Sequence, residues 1–254
     1  MLFRLFILPM NFAMNSIKRL IFDADDTLWD NNIYYEIATE EFIQLAINAG
    51  ISGKLAQRDF DEQETQVVKK NGYGSKSFLL ILENLFQSYE ALRQNSDYQK
   101  IYLAIISEFK KHLKQPLAIF PHVIPTLKQL SHSYDLFILT KGNLREQRQK
   151  LHKFELLSIF QESFVVLEKN IHTYQSILRE KQWNAEEICM IGNSPKSDIN
   201  PALRVGMYAV FIPYLYTWKL DDEPLLQEHT RLFTIRKFSE LLPLFKSGEK
   251  GNQP

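Results

Sequence analysis

The chain has 254 residues, 45% hydrophobic and 24% charged, enough apolar material for a substantial core and outside the disordered, collagen-like and low-complexity classes. Thirty Lys and Arg balance thirty Asp and Glu, so no basic excess argues for nucleic-acid backbone or an anionic membrane as partner. The single cysteine excludes a disulfide framework and points to a reducing, cytoplasmic setting.

Met1 to Met10 is apolar apart from Arg4, too short to cross a bilayer and not followed by a small-residue cleavage site. Residues 1–14 therefore read as a leader or an over-extended start, and no other segment approaches membrane length. Ile17 to Asp23 reads as a strand whose apolar run, Leu20-Ile21-Phe22, stops abruptly in acid. After Asp30 the pattern turns helical. Tyr34, Ala38, Phe42, Leu45 and Ala46 recur at helical spacing up to Gly50, and the period returns over Phe78 to Tyr89 and Ile101 to Phe109. Asn71-Gly72-Tyr73-Gly74-Ser75 is the loop of this region. Four helices without a strand predict a separate all-α unit over 31–115, whose basic run Lys110, Lys111, His112 and Lys114 reads as a solvated helix end.

From Pro116 helices and strands alternate. The strands are Leu136 to Leu139, Phe164 to Leu167, Ile188 to Ile191 and Tyr208 to Ile212. The helices are Val123 to Leu130, Leu144 to Leu157, Thr173 to Lys181 and Pro201 to Val205, the last closed by Gly206. Apolar strands in this rhythm imply a parallel sheet covered on both faces. Cys189 lies inside one strand and reads as core rather than nucleophile. The organisation is an α/β core formed by 15–30 plus 116–245, interrupted after its first strand by the helical unit 31–115, with 246–254 as a tail. Tyr214, Tyr216 and Trp218 read as cover for the sheet edge.

Ligands of parallel α/β sheets bind beyond the carboxyl ends of the strands. Those ends carry Asp23-Ala24-Asp25-Asp26-Thr27, Thr140-Lys141-Gly142-Asn143, Glu168-Lys169-Asn170 and Gly192-Asn193-Ser194-Pro195-Lys196-Ser197-Asp198. Two close aspartates with a distant Asp or Asn suit Mg2+, a hard cation that often meets phosphate. A phosphoryl group needs its charge spread over metal, lysine, hydroxyl and backbone N–H donors. Singly, each piece is a turn, a cap with Ser194 as the capping residue, or a surface lysine. Their occurrence in order, each after its own strand, is what points to a phosphate site.

These motifs resemble, over Ile17 to Pro213, those of the haloacid dehalogenase-like (HAD-like) hydrolase superfamily. Phe22-Asp23-Ala24-Asp25-Asp26-Thr27-Leu28 is similar to its Asp-x-Asp-x-Thr motif, and the other three strand ends are similar to its second, third and fourth motifs. Asp26 stands where many relatives have glycine. Asn193 replaces the first aspartate of the fourth motif, so one negative charge is lost and weight shifts to Asp198, direct or through a bound water.

The resemblance implies a Rossmann-like core with an inserted helical cap, and a Mg2+-dependent phosphatase acting on a small phosphorylated metabolite. Asp23 would attack phosphorus to form an aspartyl-phosphate. Asp25 would protonate the leaving alkoxide and then take a proton from the hydrolytic water. Thr140, Lys141, Gly142 and Lys169 would hold phosphate, while Asp23, the Asp25 carbonyl, Asn193 and Asp198 would hold the metal. The cap would exclude water and choose the substrate, with Tyr73 as a candidate substrate-facing residue. A phosphotransferase or mutase stays open on the same motifs. So does a 2-haloacid dehalogenase, which would need neither Asp25 nor metal, and so does a catalytically silent binding module, which Asn193 keeps in play. The motifs name neither the substrate nor an oligomeric state.

Overall fold

A computed structural model describes residues 16–246 apart from 156, 222, 227 and 228; the expectations for 1–14 and for the tail beyond 246 lie outside the described residues. Leu20, Ile21 and Phe22 form the centre of the fold. They belong to β1 (Arg19–Phe22), which pairs in parallel with β2 (Asp135–Lys141) on one side and β4 (Ile188–Gly192) on the other. β3 (Phe160–Val166) joins outside β2, and β5 (Tyr208–Phe211) and β6 (Leu232–Thr234) outside β4, so the six-stranded order is β3-β2-β1-β4-β5-β6. The order reverses across β1 and β4, and a crevice opens there beyond the carboxyl ends of the strands. Phe22 lies in register with Ile138 and Ile191, and the Asp23 N–H still donates to the Ile191 carbonyl at 2.8 Å. The first acidic residue is therefore the last one held by the sheet.

Between β1 and the rest of the core run α1 (Asn32–Asn48), α2 (Gly53–Asn71), α3 (Ser75–Ser88), α4 (Glu90–Gln94) and α5 (Ser96–His112). They close on their own core, including Phe42, Phe60, Phe78, Leu82, Tyr102 and Phe109. Phe86 stacks on Tyr102 at 4.2 Å, and Phe78 meets Phe109 at 4.7 Å. Lys110, Lys111 and His112 end α5, where cations complement the helix dipole. There are five helices where the sequence reading counts four: the five-residue α4 is too short to display a period. α2 is polar overall and buries Ala56, Phe60, Glu64 and Val67 along one side.

The period of two along each strand divides the rest of the core. Leu20, Phe22, Leu136, Ile138, Cys189 and Ile191 face α6 (Val123–Leu130), α7 (Leu144–Lys153) and α10 (Leu241–Lys246). Ile21, Phe137, Leu139, Ile188 and Met190 face α8 (Ile171–Lys181) and α9 (Asn200–Arg204). The α/β Rossmann-like class is what the alternation implies, and Cys189 is core, its thiol pushed up by burial. Gly206 closes α9 with φ 89°, a left-handed conformation that suits glycine.

Edges depart from the sequence reading. β3 begins at Phe160, because an edge strand tolerates the exposed Gln161 and Glu162, and Leu167 has already left the sheet at 81% exposure. α7 stops at Lys153, where Phe154 turns extended and buries its ring. β6 is three residues long and half-exposed, which leaves little apolar signature. Among the described residues no helix is long and apolar enough to cross a membrane.

Candidate active site

The loop after β1 folds back tightly: the N–H groups of Thr27 and Leu28 both donate to the Ala24 carbonyl. Asp26 takes φ 64°, the left-handed region where glycine is easiest and aspartate is tolerated. Its carboxylate is used there, accepting the N–H groups of Asn31 and Asn32 at 2.9 Å each, where the chain enters α1. Burial pushes the Asp26 carboxyl well up despite those bonds.

Asp23 is buried at the mouth of the crevice. Its Oδ2 accepts the Thr27 hydroxyl at 2.8 Å, and its Oδ1 is ion-paired with Lys169. Lys169 leaves the end of β3 and also meets Asp198 Oδ1 at 2.8 Å. Burial pulls the Lys169 ammonium down, but the two aspartates override it and hold the group above the usual lysine range. Burial pushes Asp23 up, Lys169 pulls it back and Asp198 pushes it again, leaving it near 7.

The loop after β4 is shaped around Asp198. Ser194 caps a single π-type turn, Pro195–Ile199, by accepting the Ser197 N–H at 3.0 Å. The Ser194 N–H donates to Asp198 Oδ2 at 3.0 Å, and Tyr174 donates to the Ser197 and Asp198 carbonyls. Any Cβ on Gly192 would overlap the Asp198 carboxylate, so glycine is required at the strand end. Both Asp198 oxygens are thus engaged within the protein. Asn193 Oδ1 instead faces the Thr27 hydroxyl at 3.3 Å, beside Asp23.

Asp25 lies two residues from Asp23 in a different environment. Its Oδ1 accepts the indole N–H of buried Trp29 at 2.7 Å. Its Oδ2 accepts Gln147 Nε2 at 2.9 Å and Lys150 Nζ at 2.7 Å, both from α7. Burial alone would push Asp25 up; the charge of Lys150 and the three hydrogen bonds hold it below the usual carboxylate range. Gln147 and Lys150 are absent from the sequence reading. Their only signal is i,i+3 spacing on the helix that follows Thr140, a spacing any exposed polar face also shows.

The loop after β2 supplies Thr140, Lys141 and Gly142. Thr140 is buried and lines the cavity, and its hydroxyl has no hydrogen-bond partner among the described residues. Gly142 takes φ 136°, and the Gln147 amide packs against the place a Cβ would fill. Lys141, expected on phosphate, is ion-paired with Asp221 and bonded to Ser197 Oγ at 2.9 Å. The rings of Tyr73 and Trp218 cover it at 4.9 and 5.4 Å.

A cavity of about 340 Å³ joins all eight residues singled out in the sequence to the inner face of the helical insert. Tyr73 lines it, donates to Glu168 and meets Trp218 edge-on at 5.2 Å. The aromatic cluster does not cover the sheet edge as expected. Trp218 donates to Glu64 of α2 at 2.8 Å, Tyr214 donates to Asp30 at 2.7 Å, and the Tyr216 carbonyl accepts from Asn32 at 2.5 Å. The reason is polar: each ring or backbone group finds a partner at the insert or, for Tyr214, at Asp30 just before it, that the apolar sheet edge lacks. Glu146 on α7 completes the clasp, accepting the Ser75 N–H and hydroxyl at the start of α3.

No group of three His, Cys, Asp or Glu side chains poised for a metal occurs among the described residues. The oxygens that do converge are those of Asp23 and Asn193. One Thr27 hydroxyl faces both, and its single proton satisfies only one of them. With the Thr27 proton on Asp23, the Asn193 amide oxygen is left without a donor among the described residues, and two hard oxygens placed side by side in this way fit a small divalent cation such as Mg2+.

This geometry has counterparts. The sequence model of haloacid dehalogenase-like hydrolases matches residues 17–206. A glyceraldehyde 3-phosphate phosphatase of Methanocaldococcus jannaschii is 27% identical over 245 residues, covering 92% of this chain and 99% of that protein. Its namesake in Methanopyrus kandleri is 29% identical, covering 91% and 97%. The crystal structure of a haloacid dehalogenase-like family hydrolase from Xanthomonas campestris superposes with a TM-score of 0.73 at 28% identity, covering 92% and 99%. With its core matched from the first strand to Gly206, the chain belongs to the haloacid dehalogenase-like hydrolases.

Proposed function

We propose that this protein is a phosphatase that hydrolyses a small phosphate monoester with Mg2+ through an aspartyl-phosphate on Asp23. The observation that carries this reading is the buried Asp23 carboxylate held between Lys169 and Thr27, two residues from an independently held Asp25. Proteins named as phosphatases, similar along nearly their whole length, support it.

In the first half-reaction an Asp23 oxygen bonds to phosphorus, the P–O bond to the leaving group breaks, and Asp25 gives its proton to the departing alkoxide. In the second, Asp25 takes a proton from water, whose oxygen attacks the same phosphorus and returns Asp23 as a carboxylate. The Thr140 hydroxyl, free of protein partners, donates to a phosphoryl oxygen. Lys169 offsets the charge gathered by Asp23 and phosphate. Asp25 must carry a proton to act as the acid. The incoming phosphate dianion supplies it with a reason, since negative charge beside Asp25 opposes the pull of Lys150.

Asp23, the Asp25 carbonyl and Asn193 would hold Mg2+, which when bound neutralises charge on the phosphoryl oxygens. Asp198 serves as the residue that orients Lys169 and the Ser194 turn. Residues 31–115 act as the cap, excluding water from the acyl phosphate. A dehalogenase is disfavoured because halide displacement needs no proton donor, whereas three side chains are spent on orienting Asp25. A reducing, cytoplasmic setting suits a chain whose one cysteine is core.

The test is a panel of phosphate monoesters with purified protein, with Mg2+, with EDTA and as Asp23→Asn. Phosphate release that needs both Mg2+ and Asp23 is expected. Release that survives EDTA or Asp23→Asn overturns the mechanism, and halide release from a 2-haloacid without phosphatase activity selects the dehalogenase.

A further inference from the structure

The cap wall of the cavity carries more negative charge than the core balances. Of the core lysines that line the cavity, three serve core carboxylates, Lys169 with Asp23 and Asp198, Lys150 with Asp25 and Lys141 with Asp221, and the fourth, Lys219, reaches the far wall. Across the cavity stand Glu36 and Glu40 on α1 and Asp61 and Glu64 on α2. Of these four, only Asp61 has a cationic partner among the described residues, Lys219. Glu36 accepts a 3.4 Å bond from the Asn32 amide, and Glu64 a 2.8 Å bond from the Trp218 indole, both uncharged donors. Burial and then the neighbouring Glu40 push the Glu36 carboxyl up. Burial also pushes up Glu64, with the Trp218 indole pulling it back, Asp61 and Glu36 adding to the push, and Lys219 opposing them.

A second observation lies on the same helix. Thr39 lines the cavity three residues beyond Glu36, is only 8% exposed, and has no hydrogen-bond partner for its hydroxyl among the described residues. That hydroxyl opens onto the cavity with no group of the described residues bonded to it, so a ligand seated there meets a ready hydrogen-bond partner.

We propose that the substrate is a phosphate monoester of a small amine-bearing alcohol, its ammonium seated against Glu36, Glu40 and Glu64 with Thr39 bonding an adjacent polar group. The inference rests on the phosphatase reading above and names the substrate class for that site. Phosphate brings negative charge into a pocket whose far wall is already acidic, so a neutral leaving group leaves that repulsion in place. An ammonium removes it, and within a partly enclosed cavity the gain exceeds that of an exposed ion pair. The volume of about 340 Å³ accommodates such a molecule. A carboxylate in the leaving group would meet like charge.

The experiment compares kcat/KM for matched esters with Mg2+: glucosamine 6-phosphate against glucose 6-phosphate, and phosphoethanolamine against propyl phosphate, with phosphoglycolate and glyceraldehyde 3-phosphate alongside. The amine is expected to be favoured by about tenfold or more in each pair, with phosphoglycolate the poorest. Glu36→Gln and Glu40→Gln, near-isosteric changes, should each lower the amine-to-neutral ratio about threefold or more, whatever they do to overall rate. A ratio near one, a ratio unmoved in both variants, or a preference for phosphoglycolate or glyceraldehyde 3-phosphate overturns the inference and leaves the phosphatase reading standing. No turnover of any ester defeats that reading, and the inference with it.

Discussion

The Lys150 ammonium lies 2.7 Å from Asp25 Oδ2, and the same nitrogen lies 2.6 Å from Asn31 Oδ1, where the chain leaves the loop after β1 for the helical insert. One cation therefore holds the proposed acid and the first residue of the cap connection together. Removing it should do more than remove a charge, because Asp25 loses orientation and the connection loses an anchor.

Lys150→Met is expected to lower kcat/KM for alkyl phosphates by about tenfold to a hundredfold. It should leave p-nitrophenyl phosphate far less affected, since that leaving group departs without a proton. Equal losses on both esters would show that Lys150 only supports the fold. Gln147→Leu, which removes the second donor to Asp25 Oδ2, should show the same bias more weakly.

The two aspartates give opposite pH dependences of stability in metal-free protein. Asp23 is held up near 7 against an ordinary 3.8, so its protonated form stabilises the fold at low pH and that contribution is lost as pH rises through this window. Asp25 is held down, so its contribution is present above the ordinary carboxylate range and is lost as pH falls through its lowered value. In EDTA, Asp23→Asn should therefore raise Tm by several degrees at pH 7.5 and change it little at pH 5, read by thermal melts. Saturating Mg2+ should shrink the difference at pH 7.5.

Gly192→Ala places a methyl group on the Asp198 carboxylate. A destabilisation of about 2–3 kcal/mol is expected, with loss of phosphate release because Lys169 loses its seat. Chemical denaturation measures the first, and a near-wild-type midpoint would contradict it.

Tyr73→Ala removes the ring that covers Lys141 and packs on Trp218. Substrate preference across the ester panel should change, while the Mg2+ concentration for half-maximal rate should not. Unchanged preference would remove Tyr73 from the substrate wall.

The strand-end residues were legible because the chain must present them there. A short apolar run ending in Asp23, Thr140 or Asn193 fixes both the strand and the level at which the polar side chain emerges. Asn193 was legible as a departure, and its placement beside Asp23 and Thr27, with both Asp198 oxygens engaged elsewhere, supports the metal-holding role proposed for it. The supporting pairs were not legible. Lys150 reaches Asp25 across 125 residues, Lys141 reaches Asp221 across 80, and Trp218 reaches Glu64 across 154. Each is an ordinary polar residue whose partner is set by tertiary packing, within the core for Lys150 and Lys141 and against the helical insert for Trp218. No local pattern encodes such packing, which is also why the Tyr214 to Trp218 cluster was assigned to the sheet edge.

The central claim is covalent: phosphate passes through Asp23. The most direct measurement is to quench turnover, reduce with borohydride and map the protein by mass spectrometry, because an acyl phosphate at this carboxyl is reduced to homoserine. Homoserine at position 23, appearing only with substrate and Mg2+, is the result expected. Steady turnover with no reduced residue at position 23, or with the label on another carboxylate, would contradict it.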